Sequence, residues 1–186
     1  DLTYRVQKIT WSSGKIIHQI EGPLPPADSR VTGHVDWDLR YNLMRTHTAL
    51  HILCGVVWRD YGAHVTGGDM KPGEARMDFE LDQMTAQFAH DIEEKINLEV
   101  SAARDVLAAN LSRAEADEIP DLIRTKINLL PAGITEVRTI NIAGLDLQAD
   151  GGTHVANTRE VGAIKVVGHE SKGRINKRLR IALVEQ

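Results

Sequence analysis

Two histidines stand four residues apart in the segment Arg45-Thr-His-Thr-Ala-Leu-His51, and a third ends the segment Asp150-Gly-Gly-Thr-His154. The first segment has a helical pattern, and this spacing puts both imidazoles on one helix face. Helical zinc sites take their first two ligands at the same spacing. We therefore predict a fold that brings two distant segments together around a metal, with His47, His51, Asp150 and His154 as its ligands.

Neither segment is specific on its own. A lone histidine on an apolar helix face is more often a hydrogen-bonded core residue than a ligand, and Gly-Gly turns beside polar residues are common. Cys54 falls on the same helix face as the histidine pair. We interpret it as a buried, inert thiol, because reaching one metal from three successive helical turns is geometrically difficult. The metal prediction therefore depends on the two segments in combination.

The composition of the chain is that of a globular protein and not of a membrane-spanning or disulfide-rich one. The 186 residues are 42% hydrophobic and 26% charged, which is ordinary for a globular protein. No apolar stretch approaches the ~20 residues of a transmembrane helix, and a single cysteine excludes an internal disulfide. We expect a cytoplasmic protein without a membrane partner. Basic residues are concentrated in 161–186, although the net charge of the chain is −4, so this end could contact a polyanion or be a solvated strand end.

Residues 1–35 have short strand patterns at 3–10, 15–20 and 31–36. We predict that they are the latter part of a small β-barrel-like subdomain. Because the sequence begins without methionine and within such a pattern, we expect that a segment precedes it.

Residues 36–186 are predicted to form the second domain. A helix is expected from Asp36 to Gly62, a strand at 75–80, an amphipathic helix at 82–99 and polar helical turns at 113–127. The last fifty residues have strand patterns separated by glycines. The predicted class is α+β, an antiparallel sheet with packed helices.

The motifs together resemble the editing domain of alanyl-tRNA synthetase and its free-standing relatives, the AlaX trans-editing proteins. This domain is also called the second additional domain of threonyl- and alanyl-tRNA synthetases. The resemblance covers about residues 30–184 and is carried by the segments Val35-Asp-Trp-Asp-Leu-Arg40, Met44-Arg-Thr-His-Thr-Ala-Leu-His51, Ile92-Glu-Glu-Lys-Ile-Asn97, Asp150-Gly-Gly-Thr-His-Val155 and Lys172-Gly-Arg-Ile-Asn-Lys-Arg178.

The resemblance implies a zinc-dependent deacylase that removes serine, and often glycine, from mischarged alanine tRNA. A synthetase pocket rejects an isostere that merely adds a hydroxyl only weakly, so a second site must hydrolyse the wrong product. The reaction that the resemblance implies is ester hydrolysis at the metal site, without aminoacylation, which would support the fidelity of translation. His47, His51 and His154 would act through the metal.

The chain departs from the family in two places. The family usually has cysteine where this chain has Asp150; a carboxylate still binds zinc, but it makes other divalent metals more plausible. Asp150 could instead cap the turn or contact a histidine ligand. A glycine-rich motif of longer free-standing members is also absent.

The resemblance suggests further site residues. Candidate substrate-binding residues are Thr46, Thr48, Thr66, Gly67 and Thr153, and candidate tRNA-binding residues are Arg45, Lys165, Lys172, Arg174 and Arg178. The threonines near the histidines are equally compatible with a structural role. Two alternative functions stay open: a related metal hydrolase with a different substrate, and an inactive tRNA-binding or metal-storing module.

Overall fold

The computed structural model describes residues 2–128, 130–131 and 133–184. The chain divides into two compact units, Asp1–Val35 and Asp36–Gln186. In the first unit, strands β1 (Val6–Ser12) and β2 (Lys15–Ile20) form an antiparallel hairpin. The strand predicted at 31–36 is wrong, because these residues adopt no regular structure and pair with no strand among the described residues. That the first unit belongs to a β-barrel stays a prediction.

The second unit begins with the long helix α1 (Trp37–Tyr61), as the sequence predicts. The Asp36 carboxylate accepts a hydrogen bond from the Leu39 N–H and so satisfies one of the free donors of the first turn. Gly62 ends the helix in the left-handed conformation, at φ 63°, where its missing Cβ avoids strain. The buried face of α1 runs from Thr46 to Val57, so the histidine pair lies where the helix enters the core.

Two antiparallel sheets surround this helix, which confirms the predicted α+β class. One sheet has the order β3-β4-β9-β8 and the other the order β5-β6-β7. Two further helices are α2 (Ala86–Ser101) and the five-residue α3 (Arg113–Asp117), and a short 3₁₀ helix spans Thr158–Val161. The strands are β3 (Val65–Lys71), β4 (Glu74–Glu80), β5 (Val106–Ser112), β6 (Glu136–Ile142), β7 (Asp146–Ala149), β8 (Ile164–Ser171) and β9 (Asn176–Leu183).

Apolar side chains of α1, α2 and both sheets form the main core. Its largest fully buried members include Phe79, Ile52, Ile96 and Leu179. Burial of each such side chain stabilises the fold by ~1.5–3 kcal/mol. This core holds α1 against the start of β7, and β7 leads directly into the segment 150–154. None of the helices within the described residues combines the length and apolar character that crossing a membrane requires.

Candidate metal centre

His47, His51, Asp150 and His154 lie together in the second unit. Each offers a ligand atom, and the four atoms are all within 4.8 Å of one another. The ring centroids of the three histidines are 4.2–5.2 Å apart. The structure thus brings together the four residues that the sequence predicts as ligands, two from α1 and two from the turn after β7.

The distances suit a small tetrahedral ion. Asp150 Oδ2 is 3.3 Å from His47 Nε2 and 3.7 Å from His51 Nε2. A tetrahedral zinc ion with bonds of ~2.0–2.1 Å separates its ligand atoms by ~3.3–3.4 Å. Three imidazole nitrogens and one carboxylate oxygen could therefore hold such an ion after small side-chain adjustments.

His154 points to a missing partner. Both of its ring nitrogens are buried, and neither has a hydrogen-bond partner among the described residues. Buried polar atoms in folded proteins are nearly always paired. Burial, together with the neighbouring His51 and His47 rings, lowers the pKa of His154 to about 3. The ring is therefore neutral at physiological pH, the form in which imidazole binds a metal.

The two oxygens of Asp150 have different partners. Oδ1 accepts a hydrogen bond from the Gly152 N–H at 2.5 Å and closes the turn, whereas Oδ2 faces His47 and His51. Burial would raise the pKa of Asp150, but its contacts with these two histidines outweigh burial and hold the pKa well below its usual range. Asp150 is thus ionised, and it both caps the turn and offers a ligand atom.

Burial alone would lower the pKa of His51, but hydrogen bonds with Asp146 and Asp150 outweigh it and raise the pKa to about 9. A metal ion bound between His51 Nε2 and Asp150 would replace the proton on Nε2. Cys54 is buried, as predicted, and burial raises the pKa of its thiol. It is not among the four clustered ligand atoms.

The turn at 150–154 approaches α1 closely. A Cβ on Gly152 would lie 2.4 Å from His47 Cε1, whereas a Cβ on Gly151 would have no neighbour within 4 Å. Arg138 of β6 holds the turn from the other side, because its Nη1 donates to the Asp150 and Gly152 carbonyls, both at 2.8 Å. Sequence reasoning did not identify Arg138, since nothing in its neighbourhood in the sequence links it to the turn.

Two cavities border the cluster. The larger, about 520 Å³, is lined by Asp150 and Gly151 together with mostly apolar side chains. The smaller, about 300 Å³, is lined by His154, Trp37 and Tyr41. Arg138 lines both cavities. A ligand in either cavity would therefore adjoin a residue of the cluster.

Comparison with known proteins assigns the family. Residues 137–180 match the family model described as the threonyl and alanyl tRNA synthetase second additional domain. The alanyl-tRNA editing protein AlaX-M of Methanosarcina barkeri is 33% identical over 93% of this chain and 73% of its own length. That of Saccharolobus solfataricus is 36% identical over 90% of this chain and 70% of its own length. The chain belongs to the alanyl-tRNA editing protein family.

The editing family also includes parts of larger enzymes. The alanine–tRNA ligase of Thermofilum pendens is 37% identical over 83% of this chain, which covers only 17% of the ligase. These comparisons confirm the resemblance to the editing domain of alanyl-tRNA synthetase and to the AlaX proteins.

Thr46 and Thr48, beside the first histidine, are fully buried. The Thr46 hydroxyl donates to the carbonyl four residues earlier (2.7 Å) and accepts from the Gly73 N–H (2.9 Å). The Thr48 hydroxyl also donates to the carbonyl four residues earlier (3.0 Å) and accepts from the Val155 N–H (3.2 Å). Both hydroxyls thus bond to the protein's own backbone, and their role in substrate binding stays a prediction.

The other substrate candidates are Thr66, Gly67 and Thr153. Thr66 and Gly67 belong to β3, where the Thr66 hydroxyl donates to Asn176 Oδ1 at 2.8 Å. Thr153 is exposed on the turn between Gly152 and His154. Of Thr66, Gly67 and Thr153, Thr153 is the one that adjoins a residue of the cluster in the sequence, and the roles of these three residues also stay predictions.

Arg45 and Arg178, two of the predicted tRNA-binding residues, have partners within the protein. The Arg45 guanidinium donates twice to the Val161 carbonyl, at 2.8 and 3.0 Å. Arg178 forms a bidentate pair with Asp78, at 2.6 and 2.7 Å. Both are only partly exposed, so a tRNA phosphate would compete with these contacts.

Lys165, Lys172 and Arg174 are exposed in or beside the β8–β9 hairpin. Lys165 pairs with Glu93 at 2.8 Å and Lys172 with Glu170 at 3.2 Å. Exposed pairs of this kind are weak, typically ~0–1 kcal/mol, so they can open to admit a phosphate. These three residues remain candidate tRNA contacts.

Proposed function

We propose that this chain is a zinc-dependent deacylase that hydrolyses the ester bond of mischarged alanine tRNA, with seryl- and glycyl-tRNA as substrates. The chain acts in trans, on tRNA released by the synthetase, and its place of action is the cytoplasm. The observation that carries the proposal is the cluster of three histidines and one ionised carboxylate, in which both ring nitrogens of His154 lack a partner among the residues that the structure describes, in a member of the alanyl-tRNA editing family.

In this proposal His47, His51, Asp150 and His154 hold the zinc ion. A zinc ion held by these four residues would take the ester carbonyl or a water molecule as a fifth ligand, and would thereby polarise that carbonyl or lower the pKa of that water. Arg138 and the hydrogen bond from Gly152 to Asp150 keep the turn in place, so the ligand atoms are fixed before substrate arrives. Thr153 and the exposed basic residues of the β8–β9 hairpin supply contacts to the aminoacyl end and the tRNA.

The test is a deacylation assay with purified protein loaded with zinc. Alanine tRNA charged with serine, glycine or alanine is presented separately, and His47→Ala is the matched inactive variant. We expect rapid release of serine and glycine, slow release of alanine, and no release by the variant.

Three other outcomes would contradict the proposal, and the first two each favour a particular alternative. Binding of seryl-tRNA without turnover would favour an inactive tRNA-binding module. Hydrolysis of a different aminoacyl-tRNA, with serine and glycine untouched, would favour a related hydrolase. Full activity of His47→Ala would remove the cluster from the mechanism.

A further inference from the structure

His51 lies between two carboxylates, those of Asp146 and Asp150. Its Nδ1 lies 3.1 Å from Oδ2 of Asp146, the first residue of β7. Its Nε2 lies on the other side of the ring, 3.7 Å from Asp150 Oδ2. One ring nitrogen thus faces a buried carboxylate, and the other faces the metal cluster.

The side chain of Asp146 is completely inaccessible to solvent. Its Oδ2 also accepts a hydrogen bond from Gln148 Nε2 at 2.6 Å. Its Oδ1 is 3.6 Å from Nε of the buried Arg124, whose guanidinium lies 4.4 Å from the centroid of the Trp58 ring. A carboxylate oxygen accepts hydrogen bonds, and Oδ2 faces the Gln148 amide and the His51 ring. Asp146 is therefore an acceptor for an N–H group of His51.

A glycine in the middle of α1 permits this approach. Gly55 lies one turn after His51, and glycine in a helix interior costs ~1 kcal/mol relative to alanine. A Cβ at this position would lie 2.9 Å from Leu145 Cγ and 3.0 Å from Asp146 Cβ. The absence of a side chain at Gly55 lets the start of β7 lie against the helix, where Asp146 reaches His51.

We infer that Asp146 is a positioning residue, which holds His51 in the tautomer with its proton on Nδ1 and thereby aims the Nε2 lone pair at the metal. Carboxylates that accept from the second nitrogen of a ligating histidine fix the ring and increase its basicity. Gly55 sets the distance at which Asp146 does so. The inference rests on the metal site of the proposed function but not on its substrate.

Metal affinity tests the inference without an activity assay. The dissociation constant for Zn²⁺ is measured by competition with a chromophoric chelator, in the wild type and in Asp146→Asn. Loss of such a partner typically weakens metal binding ~10–100-fold, and we expect a loss in this range. The His51 tautomer is read in parallel from ¹⁵N NMR of the zinc-loaded protein. In the wild type we expect a protonated Nδ1 that exchanges slowly with solvent, and in the variant faster exchange.

Asp78→Asn is the matched control, because Asp78 is also a buried carboxylate paired with arginine, but with Arg178 and Arg76 rather than with a histidine. It should lower the melting temperature of the metal-free protein without changing the Zn²⁺ dissociation constant. Wild-type zinc affinity in Asp146→Asn, or an equal loss in both variants, would overturn the inference. So would a wild-type chain that takes up no zinc.

Gly55→Ala provides a second route that leaves every polar group intact. If the added methyl group acts by displacing Asp146, it should weaken zinc binding, and the double variant Asp146→Asn/Gly55→Ala should be little weaker than Asp146→Asn alone. If the losses of zinc affinity in the two single variants add up in the double variant, Gly55 does not act through Asp146. A wild type that binds zinc but hydrolyses no aminoacyl-tRNA would contradict the proposed function and leave the role of Asp146 standing.

Discussion

The candidate metal centre and the ion-pair cluster around Glu99 are both groups of charged or polar side chains at the edge of the core, but only the ion-pair cluster has all of its buried polar atoms paired among the described residues. Glu99 accepts from Arg59 Nη1 and Arg104 Nε, each at 2.5 Å, so both carboxylate oxygens are satisfied. His154 lies among other imidazoles, with neither ring nitrogen partnered among the described residues. A satisfied cluster stabilises the fold, whereas an unsatisfied one has room for a ligand.

Replacement of His154 should have the largest effect on function. We expect His154→Ala to lose zinc and to reduce deacylation by more than ~10²-fold, the upper range for residues that merely contact a ligand. Because the ring has no hydrogen-bond partner within the described part of the chain, the metal-free protein should keep its melting temperature within a few degrees. Metal analysis measures the zinc content, single-turnover kinetics measure the rate of deacylation, and calorimetry without metal measures the melting temperature.

His90→Ala is the control for this change, since His90 is exposed on α2, where it pairs with Glu94. Retention of stoichiometric zinc by His154→Ala would remove the contrast between the two clusters.

Replacement of Glu99 should lower the stability of the fold and leave zinc binding unchanged, the reverse of what we expect for His154. Breaking a buried ion pair costs ~3–5 kcal/mol. We expect Glu99→Ala to cost about 2–3 kcal/mol, because Arg59 and Arg104 are partly exposed and water relieves their lost contacts. Zinc affinity should not change. Urea denaturation gives the free energy of unfolding, and Glu94→Ala, an exposed carboxylate on the same helix, should be nearly neutral. A loss of zinc affinity in Glu99→Ala would mean that the two clusters are coupled.

Asp150→Cys tests the ligand that departs from the family pattern. A thiolate is a softer donor than a carboxylate, so zinc binding should tighten relative to Mn²⁺. We expect a change in the ratio of the two dissociation constants on the order of tenfold, or ~1.4 kcal/mol. Asp150→Ser is the control, because it also lacks the carboxylate but supplies no thiolate. An unchanged ratio in the cysteine variant would show that position 150 only caps its turn.

The smallest expected effect concerns the pair of Asp78 and Arg178, and how much this pair contributes to the loss of stability in acid. Hydrogen bonds from Arg178 lower the pKa of Asp78 below its usual value. A carboxyl group with a lowered folded-state pKa contributes stability above its unfolded pKa of ~3.9 and loses this contribution as the pH falls through the folded-state value. Asp78→Asn should therefore flatten the decline of stability below about pH 4. Urea denaturation at several pH values measures this slope, and an unchanged slope would contradict the assignment.

The sequence predicts the elements whose signals are local. Helix α1 lies between Asp36 and Gly62, as expected from the capping residues at its two ends. The second helix was expected at 82–99 but begins only at Ala86, because Thr85 is its N-cap. Strand β5 was not predicted, since most of its side chains are exposed and its segment lacks a regular alternation of apolar and polar residues.

The candidate site could be predicted only in part for a similar reason. Helical spacing and the Asp-Gly-Gly-Thr-His motif identify the four residues that the structure brings together. Asp146 and Gly55 carry no such motif, because their relation to His51 arises from the packing of β7 against α1. Arg138 is likewise linked to the turn only through the pairing of β6 with β7.

The two adjacent glycines of the turn also provide a practical handle for labelling. Gly152 faces His47 without space for a methyl group, whereas Gly151 faces open space. Cys54 is buried, so a cysteine introduced at position 151 would be the reactive thiol of the described chain. A fluorophore attached there would be one residue from Asp150 and beside the larger cavity. Its emission would report changes around the turn when metal or tRNA is added.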